Sequence, residues 1–281
     1  MPTVLLADRG VIEVKGPEAA DFLNRLLTNQ VPDQPAPLAS HAALLTPQGK
    51  ILATLLIIRH PVAEDGFLLD CARACLPDTL KRLALYKLRA ACTITDVSDQ
   101  WHVSAHWPAQ DAPESADVIR VHDPRDPAMG TRLLSRTLSQ TQDDMALYES
   151  HRITLGLAED GKDFEPNTVF PHEINLDHSH GLDFHKGCYI GQEVVSRMQH
   201  RGTARNRIVV IGFKPDTPPP AGCEVRAGGT LLGQITSVDQ HGHGLALLRL
   251  DRVADAHNNA QPLTADGHPL TVALPDWIKH A

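Results

Sequence analysis

Aromatic residues are scarce, at 4% of 281 residues. A core built on rings is therefore excluded, and Leu, Val, Ile and Ala must fill the interior. Paired cysteines are missing as well: Cys71, Cys75, Cys92, Cys188 and Cys223 form an odd, scattered set with no CxxC pair. That pattern speaks against a zinc ribbon and a disulfide framework and points to reduced thiols. No stretch approaches the roughly 18 uninterrupted apolar residues of a membrane helix. The opening MPTVLLADRGVIEV has no basic segment ahead of a long apolar run, so neither a membrane association nor a secretory leader is expected, and the expected compartment is the cytoplasm. Positive charge is also short. With a formal net charge of -8, binding through bulk phosphate neutralisation is disfavoured and no direct nucleic-acid partner is expected. One local basic stretch stands out, SRMQHRGTARNRI.

The length favours two domains. RGVIEVKGPEAADFLNRLLTNQV reads as strand, turn and helix, with Pro17 suited to a first helical position. GKILATLLIIRHPVAEDGFLLDC reads as a hairpin. PDTLKRLALYKLRA places Leu80, Leu83, Ala84 and Leu88 on one helical face, and CTITDVS returns to strand composition. Residues 110–115 read as an exposed connection, and a further helix is predicted from Asp144 to about Leu157. The following segment to Gly187 is rich in Gly, Pro, Asp and His, and loops of that length inside compact domains are usually functional. After Gly202 short apolar runs alternate with glycines, as in a small antiparallel barrel. The expected division is 1–203 and 204–281, with the boundary near residue 203.

The stretch HKGCYIGQE, residues 185–193, sets Cys188 between Gly187 and Gly191. Lys186 and a short helix beginning in GQEVVSRM would place positive charge near the sulfur and favour its thiolate. The same residues are equally compatible with a small buried cysteine in a tight turn. Local chemistry alone leaves the two readings balanced.

The string KGCYIGQE followed by VVSRMQHRG resembles the signature of the YgfZ-type folate-binding proteins, relatives of the glycine-cleavage aminomethyltransferase that act in iron–sulfur cluster assembly or repair. RGVIEVKGPEAADFLNRLLTNQV, LTPQGKILA, YKLRA, DPRDPAMGTR, FPHEINLDH and GLALLRLD extend the resemblance over nearly the whole chain. It implies an α+β, aminomethyltransferase-like body around a central channel, capped by a C-terminal antiparallel β-barrel. It also implies tetrahydrofolate in the channel and Cys188 as the functional thiol, in transient contact with an iron–sulfur cluster. Iron–sulfur assembly proteins and client iron–sulfur enzymes become the expected partners. Folate contacts are expected at Glu173, Asn175, Lys186, Tyr189, Arg197 and Arg201. A carboxylate at Glu173 could accept two N–H bonds from the pterin edge, and the two arginines suit the glutamate tail, although a solvated basic face explains them as well.

A folate-dependent aminomethyl or one-carbon transferase is the alternative. Where such relatives carry an acid on the strand GKILATLLI, this chain has Ala53 and Thr54, which removes a proton-transfer group usually worth about 100- to 10,000-fold in rate. Asp70 or Asp96 could reach the same point. An assembly factor is therefore favoured over a transferase. A metal site in HEINLDHSHGLDFH, with His172, His178, His180 and His185, lacks a regular ligand spacing, and no metal is expected. Cys71 and Cys75 read as core, and DPRDP as a turn built by its prolines.

Overall fold

The computed structural model describes residues 2–33, 38–60, 63, 65–109, 117–138, 144–202 and 204–279, with the backbone alone at Arg201, Asp276 and Lys279. The connection expected at 110–115 and the boundary at residue 203 lie outside the described residues.

Two antiparallel sheets form the body. The first has five strands in the order β3-β4-β5-β2-β6: β2 (Arg9–Lys15), β3 (Ala39–Leu45), β4 (Ile51–Arg59), β5 (Gly66–Ala72) and β6 (Thr93–Asp96). Successive side chains on a strand point to opposite faces, and both faces of this sheet are apolar. Ile12, Val14, Leu55, Ile57 and Leu69 pack beneath α1 (Ala19–Asn24) and α2 (Leu76–Lys87). Val11, Ile58 and Leu68 pack instead against the second sheet. That sheet runs β1-β7-β9-β8, from β1 (Thr3–Leu5), β7 (His102–His106), β8 (Val118–His122) and β9 (Thr131–Ser135). Tyr148 and Met145 of α3 (Met145–Thr154) pack into the same layer.

Asp144 caps α3 as its side chain accepts from the Ala146 N–H at 3.1 Å. Two details depart from the periodicity. Pro17 sits in the turn ahead of α1 rather than inside it. On α2 the buried face is Leu76, Thr79 and Leu83, whereas Leu88 is 86% exposed. Leu88 follows the last helical residue, where φ has swung to 48°, so helical spacing no longer governs it.

A closed barrel completes the chain, in the order β10-β13-β12-β11-β14-β15. Its strands are β10 (Asn206–Gly212), β11 (Glu224–Ala227), β12 (Thr230–Val238), β13 (His243–Arg249), β14 (Leu263–Ala265) and β15 (His268–Ala273). Closure leaves no free sheet edge. Val209, Ile211, Val225, Ile235, Ala246 and Leu248 fill the interior beside α5 (Leu250–Asn258), and the short α6 (Asp276–Lys279) returns toward the body. A third apolar cluster joins body to barrel: Leu45 and Ile51 meet Tyr189, Ile208 and Leu245, together with Val195 of α4 (Gln192–Arg201).

Candidate functional site

Cys188 is exposed. The loop beneath it alternates: Phe184, His185, Gly187 and Cys188 face solvent, while Lys186 and Tyr189 are buried. The anchors come from residues far away in sequence. The Lys186 ammonium donates to the carbonyls of Leu27 and Asn29 at 2.8 and 2.7 Å. Asp183 accepts from Gln30 Nε2 at 2.9 Å, and its own N–H donates to the Thr28 carbonyl at 3.0 Å. Thr28 Oγ1 donates to the Gly181 carbonyl at 2.6 Å. On the far side Gly191, at φ 82°, lies so close to the β3–β4 turn that a Cβ there would stand 2.7 Å from the Thr46 carbonyl. The sulfur thus stands at the tip of a loop fixed at both ends.

This geometry corrects the electropositive bend expected around the thiol. The Lys186 ammonium points inward to carbonyls at the exit of α1, and burial lowers its pKa to about 8 against the opposing pull of Asp183. α4 starts four residues beyond the sulfur, and a helix dipole acts mainly within its first turn. Tyr189 is a core wedge, its hydroxyl pushed up to about 12 by burial. Arg197 makes an exposed ion pair with Glu193 at 2.6 Å, one helical turn away, and so satisfies itself on the surface. Of Arg201 the backbone closes α4, and its side chain lies outside the described residues.

Glu173 and Asn175, adjacent in the expected folate motif, are separated in space by their jobs. Both Glu173 oxygens are engaged: Oε2 accepts from the Phe170 N–H at 2.8 Å and Oε1 from Asn206 Nδ2 at 2.9 Å. The carboxylate therefore caps the 3-10 turn Pro171–Ile174 and ties it to the barrel. Asn175, in a left-handed conformation at φ 60°, donates from Nδ2 to the Ile208 carbonyl at 2.8 Å. Its Oδ1 is buried without a hydrogen-bond partner, and Asn175 is one of the residues lining a cavity of about 340 Å3 between body and barrel. Leu157, Ile208 and Val210 supply apolar walls, and Arg125 and Trp277 complete the lining. Small-molecule pockets run from roughly 300 to 1,000 Å3, so this one is large enough for a bicyclic ring. Glu173 carries one protein hydrogen bond on each oxygen, and a carboxylate has about four acceptor sites, so part of its accepting capacity is spent on the fold.

Beside the cavity, the DPRDP segment expected to be a simple proline turn carries a charge network. Arg125 donates to Asp123 at 2.8 Å and to Glu159 at 3.1 Å, and Arg132 reaches Asp123 at 3.1 Å. The Tyr148 hydroxyl donates to Glu159. Burial opposes ionisation of Asp123, but the Arg125 and Arg132 guanidiniums outweigh it and hold the acid well below the usual carboxylate range. A buried network of this kind is tolerated when nearly every charge has a partner.

At Thr54, where an acid was found missing, the structure brings one from elsewhere. The Asp160 carboxylate accepts from the Thr54 N–H at 3.1 Å and from the Thr54 hydroxyl. Burial raises its pKa to about 6. Asp70 is instead bound to Arg9 at 2.6 Å, and Asp96 accepts from the Ser98 hydroxyl at 2.6 Å. Asp160 is 3% exposed with both oxygens turned to Thr54, so it does not restore a ligand-facing acid. The four loop histidines disperse: His172 is buried against Gln199 at 3.0 Å, His178 stacks on Trp277, and His180 and His185 are exposed. Among the described residues no group of three or more His, Cys, Asp or Glu is placed to hold a metal, and no helix is long and apolar enough to cross a membrane. Cys71 and Cys75 lie in the core.

Residues 6–119 match the GCVT N-terminal domain, and residues 205–280 match the CAF17 C-terminal beta-barrel domain. The aminomethyltransferase T of the glycine cleavage system from Bartonella henselae superposes with a TM-score of 0.69 at 15% identity, covering 97% of this chain and 85% of that one. The fold is therefore that of the aminomethyltransferases with a C-terminal barrel. Sequence relatives include the mitochondrial iron–sulfur cluster assembly factor IBA57 homolog of Mycosarcoma maydis, 33% identical over 97% of this chain and 83% of its own length. The mouse and human IBA57 factors, also named mitochondrial, are 32% and 31% identical over 97% of this chain. Those names contradict the cytoplasmic compartment expected from the sequence.

Proposed function

Because the chain belongs to the IBA57 family of iron–sulfur cluster assembly factors, we propose that it acts in cluster assembly through Cys188, with a folate seated in the body–barrel cavity, the folate-linked mode of the YgfZ-type proteins that its motif resembles. The observation carrying this reading is the exposed sulfur on a loop fixed at both ends. Thiolate is the usual ligand of cluster iron, and an ordinary cluster takes four protein ligands. The cluster is cargo here: one protruding cysteine supplies one bond to iron, and a partner protein supplies the others. A rigid tip suits that task, since little loop entropy is lost when the partner docks.

In the cavity, Leu157, Ile208 and Val210 would exclude water from the ring faces. Bound tetrahydrofolate would supply one-carbon or redox chemistry at its own ring. The transferase alternative is less well supported, because the acid nearest Thr54 is enclosed. The test compares the native chain with Cys188→Ala in activation of an apo iron–sulfur enzyme by a cluster donor, alongside a tetrahydrofolate titration. The variant is expected to lose the activation and keep the folate affinity. Full activation by Cys188→Ala would overturn the thiol's role, and absence of tetrahydrofolate binding to the native chain would overturn the folate part.

A further inference from the structure

α2 keeps Leu76, Thr79 and Leu83 for the core and turns a second stripe outward. Asp78, Lys81, Arg82 and Leu85 follow one another along it, because residues three and four apart on a helix are neighbours. Leu85 is 62% exposed, and Leu88, just beyond the helix, is exposed further still. Leu88 is also strained: φ 48° with ψ -108° is backbone that glycine adopts freely and a leucine does not. That strain buries nothing; it holds an apolar side chain in water. A hollow lies beside each leucine. One, of about 330 Å3, has Phe22, Leu26 and Leu88 in its wall together with Arg25, Lys87 and Arg89. The other, of about 370 Å3, has Leu85, Leu52 and Pro166 in its wall together with Lys81 and Arg82.

Among the described residues the side chains of Arg25, Arg82, Lys87 and Arg89 take part in no ion pair and no hydrogen bond. The carboxylates on the same surface do not answer them. Asp78 pairs with Lys81 at 3.1 Å and Glu18 accepts from the Ala91 N–H at 2.5 Å, which leaves Asp21 against four cations. In a chain of net charge -8, such a surface is the complement of an acidic one. We propose that this face of α1 and α2 is a docking surface for an acidic amphipathic segment of another protein. Its apolar side chains fill the two hollows around Leu85 and Leu88, and its carboxylates meet Arg25, Arg82, Lys87 and Arg89. A lipid surface fits less well, since it brings no side chains of fixed shape to the hollows and its anionic headgroups meet Asp21 and Asp78 as well. Leu26 is followed by Leu27, whose carbonyl holds the Lys186 ammonium, so the docking surface shares the exit of α1 with the mount of the Cys188 loop. That the docked protein is the one meeting Cys188 rests on the function proposed above.

Fluorescence anisotropy of a labelled synthetic helix, with leucines three and four positions apart and glutamates elsewhere, tests the surface against the full chain. This helix should bind about tenfold more tightly than its copy with lysines in place of the glutamates, and lose affinity as salt rises. Arg82→Glu combined with Arg89→Glu, Leu85→Ser, and Leu88→Gly should each weaken binding about tenfold. Leu88→Gly also releases the strained backbone, so its thermal unfolding midpoint should equal or exceed the native one. A lower midpoint would show that the leucine serves the fold and would overturn the proposal, as would equal binding of the two helices or binding unaltered in the variants. Sedimentation of the chain with phosphatidylserine vesicles, or a dimer, that Leu85→Ser abolishes would assign the surface to lipid or to a second copy and overturn it too. In the activation assay described above, the double arginine variant should need about tenfold more protein to reach the native maximum, whereas Cys188→Ala loses the maximum. An unmoved activation curve with lost helix binding keeps the docking surface and ends its link to Cys188. Full activation by Cys188→Ala would overturn the thiol's role without touching the helix result.

Discussion

Around Cys188 the loop is held mainly by bonds to backbone carbonyls and by one buried ammonium, whereas behind the cavity at Arg125 ionised side chains are packed against one another almost without water. The first arrangement spends its polar groups on fixing the backbone and leaves the Cys188 sulfur outside. The second spends them on one another and leaves nothing protruding. On the proposed function, the first region would meet a protein-sized partner, which suits a rigid stalk, and the second would back a small ring, which suits an electrically balanced wall. The contrast predicts that damage to the inner region appears as lost stability, and damage to the outer tip as lost function.

The sharpest way to break the comparison is Arg125→Ala. It leaves Asp123 buried without its main partner and takes one of several partners from Glu159, and should cost about 3–5 kcal/mol in denaturant unfolding; a loss below about 1 kcal/mol would mean that the network does not stabilise the fold. Lys186→Met comes next. Two buried carbonyls lose their donor, at about 1–3 kcal/mol. The pH dependence separates this role from a nonspecific packing loss. Lys186 has its pKa lowered from 10.5 to about 8 in the folded chain, so between those values the unfolded chain binds the extra proton and native stability rises with pH. In Lys186→Met that rise should vanish.

Asp160→Asn tests the enclosed acid and should shift stability near pH 7 by about 1 kcal/mol. Its folded pKa of about 6 lies above the ordinary 3.8. The folded chain therefore holds the extra proton between those values, and native stability falls as pH rises across that window. The asparagine variant should lose this slope, as read from urea midpoints between pH 4 and pH 6. Smallest in stability is Cys188→Ala, within about 0.5 kcal/mol as for other exposed substitutions. A clear drop in its unfolding midpoint would erase the distinction between the two regions.

Much of the fold was legible because periodicity reports local burial. The β2–turn–α1 unit, the β4–β5 hairpin, α3, α4 and the strand-rich barrel all follow from spacing and punctuation by Gly and Pro. The exposed cysteine was legible as a candidate from its motif, though not from its local chemistry. What the spacing could not carry was direction through space. Lys186 reads as a charge beside a thiol, yet its partners are carbonyls 159 and 157 positions earlier. Thr54 reads as a lost acid, yet Asp160 arrives from 106 positions away. Arg125 reads as part of a proline turn because the acids it binds include Glu159, in a loop without periodicity. Trp277 had no signal apart from the rarity of aromatic residues, which makes each tryptophan worth locating.

The anchors of the Cys188 loop also order events during synthesis. The segment that receives Lys186 and Asp183 leaves the ribosome long before the loop itself. A nascent chain that stops short of residue 183 has the dock without the thiol, and one that has lost its first thirty residues has the thiol on a loop tethered only at its Gly191 end. On the proposed function, cargo meets a properly held sulfur only on a molecule whose two distant segments have already found each other, so tertiary folding itself would license the cysteine for use.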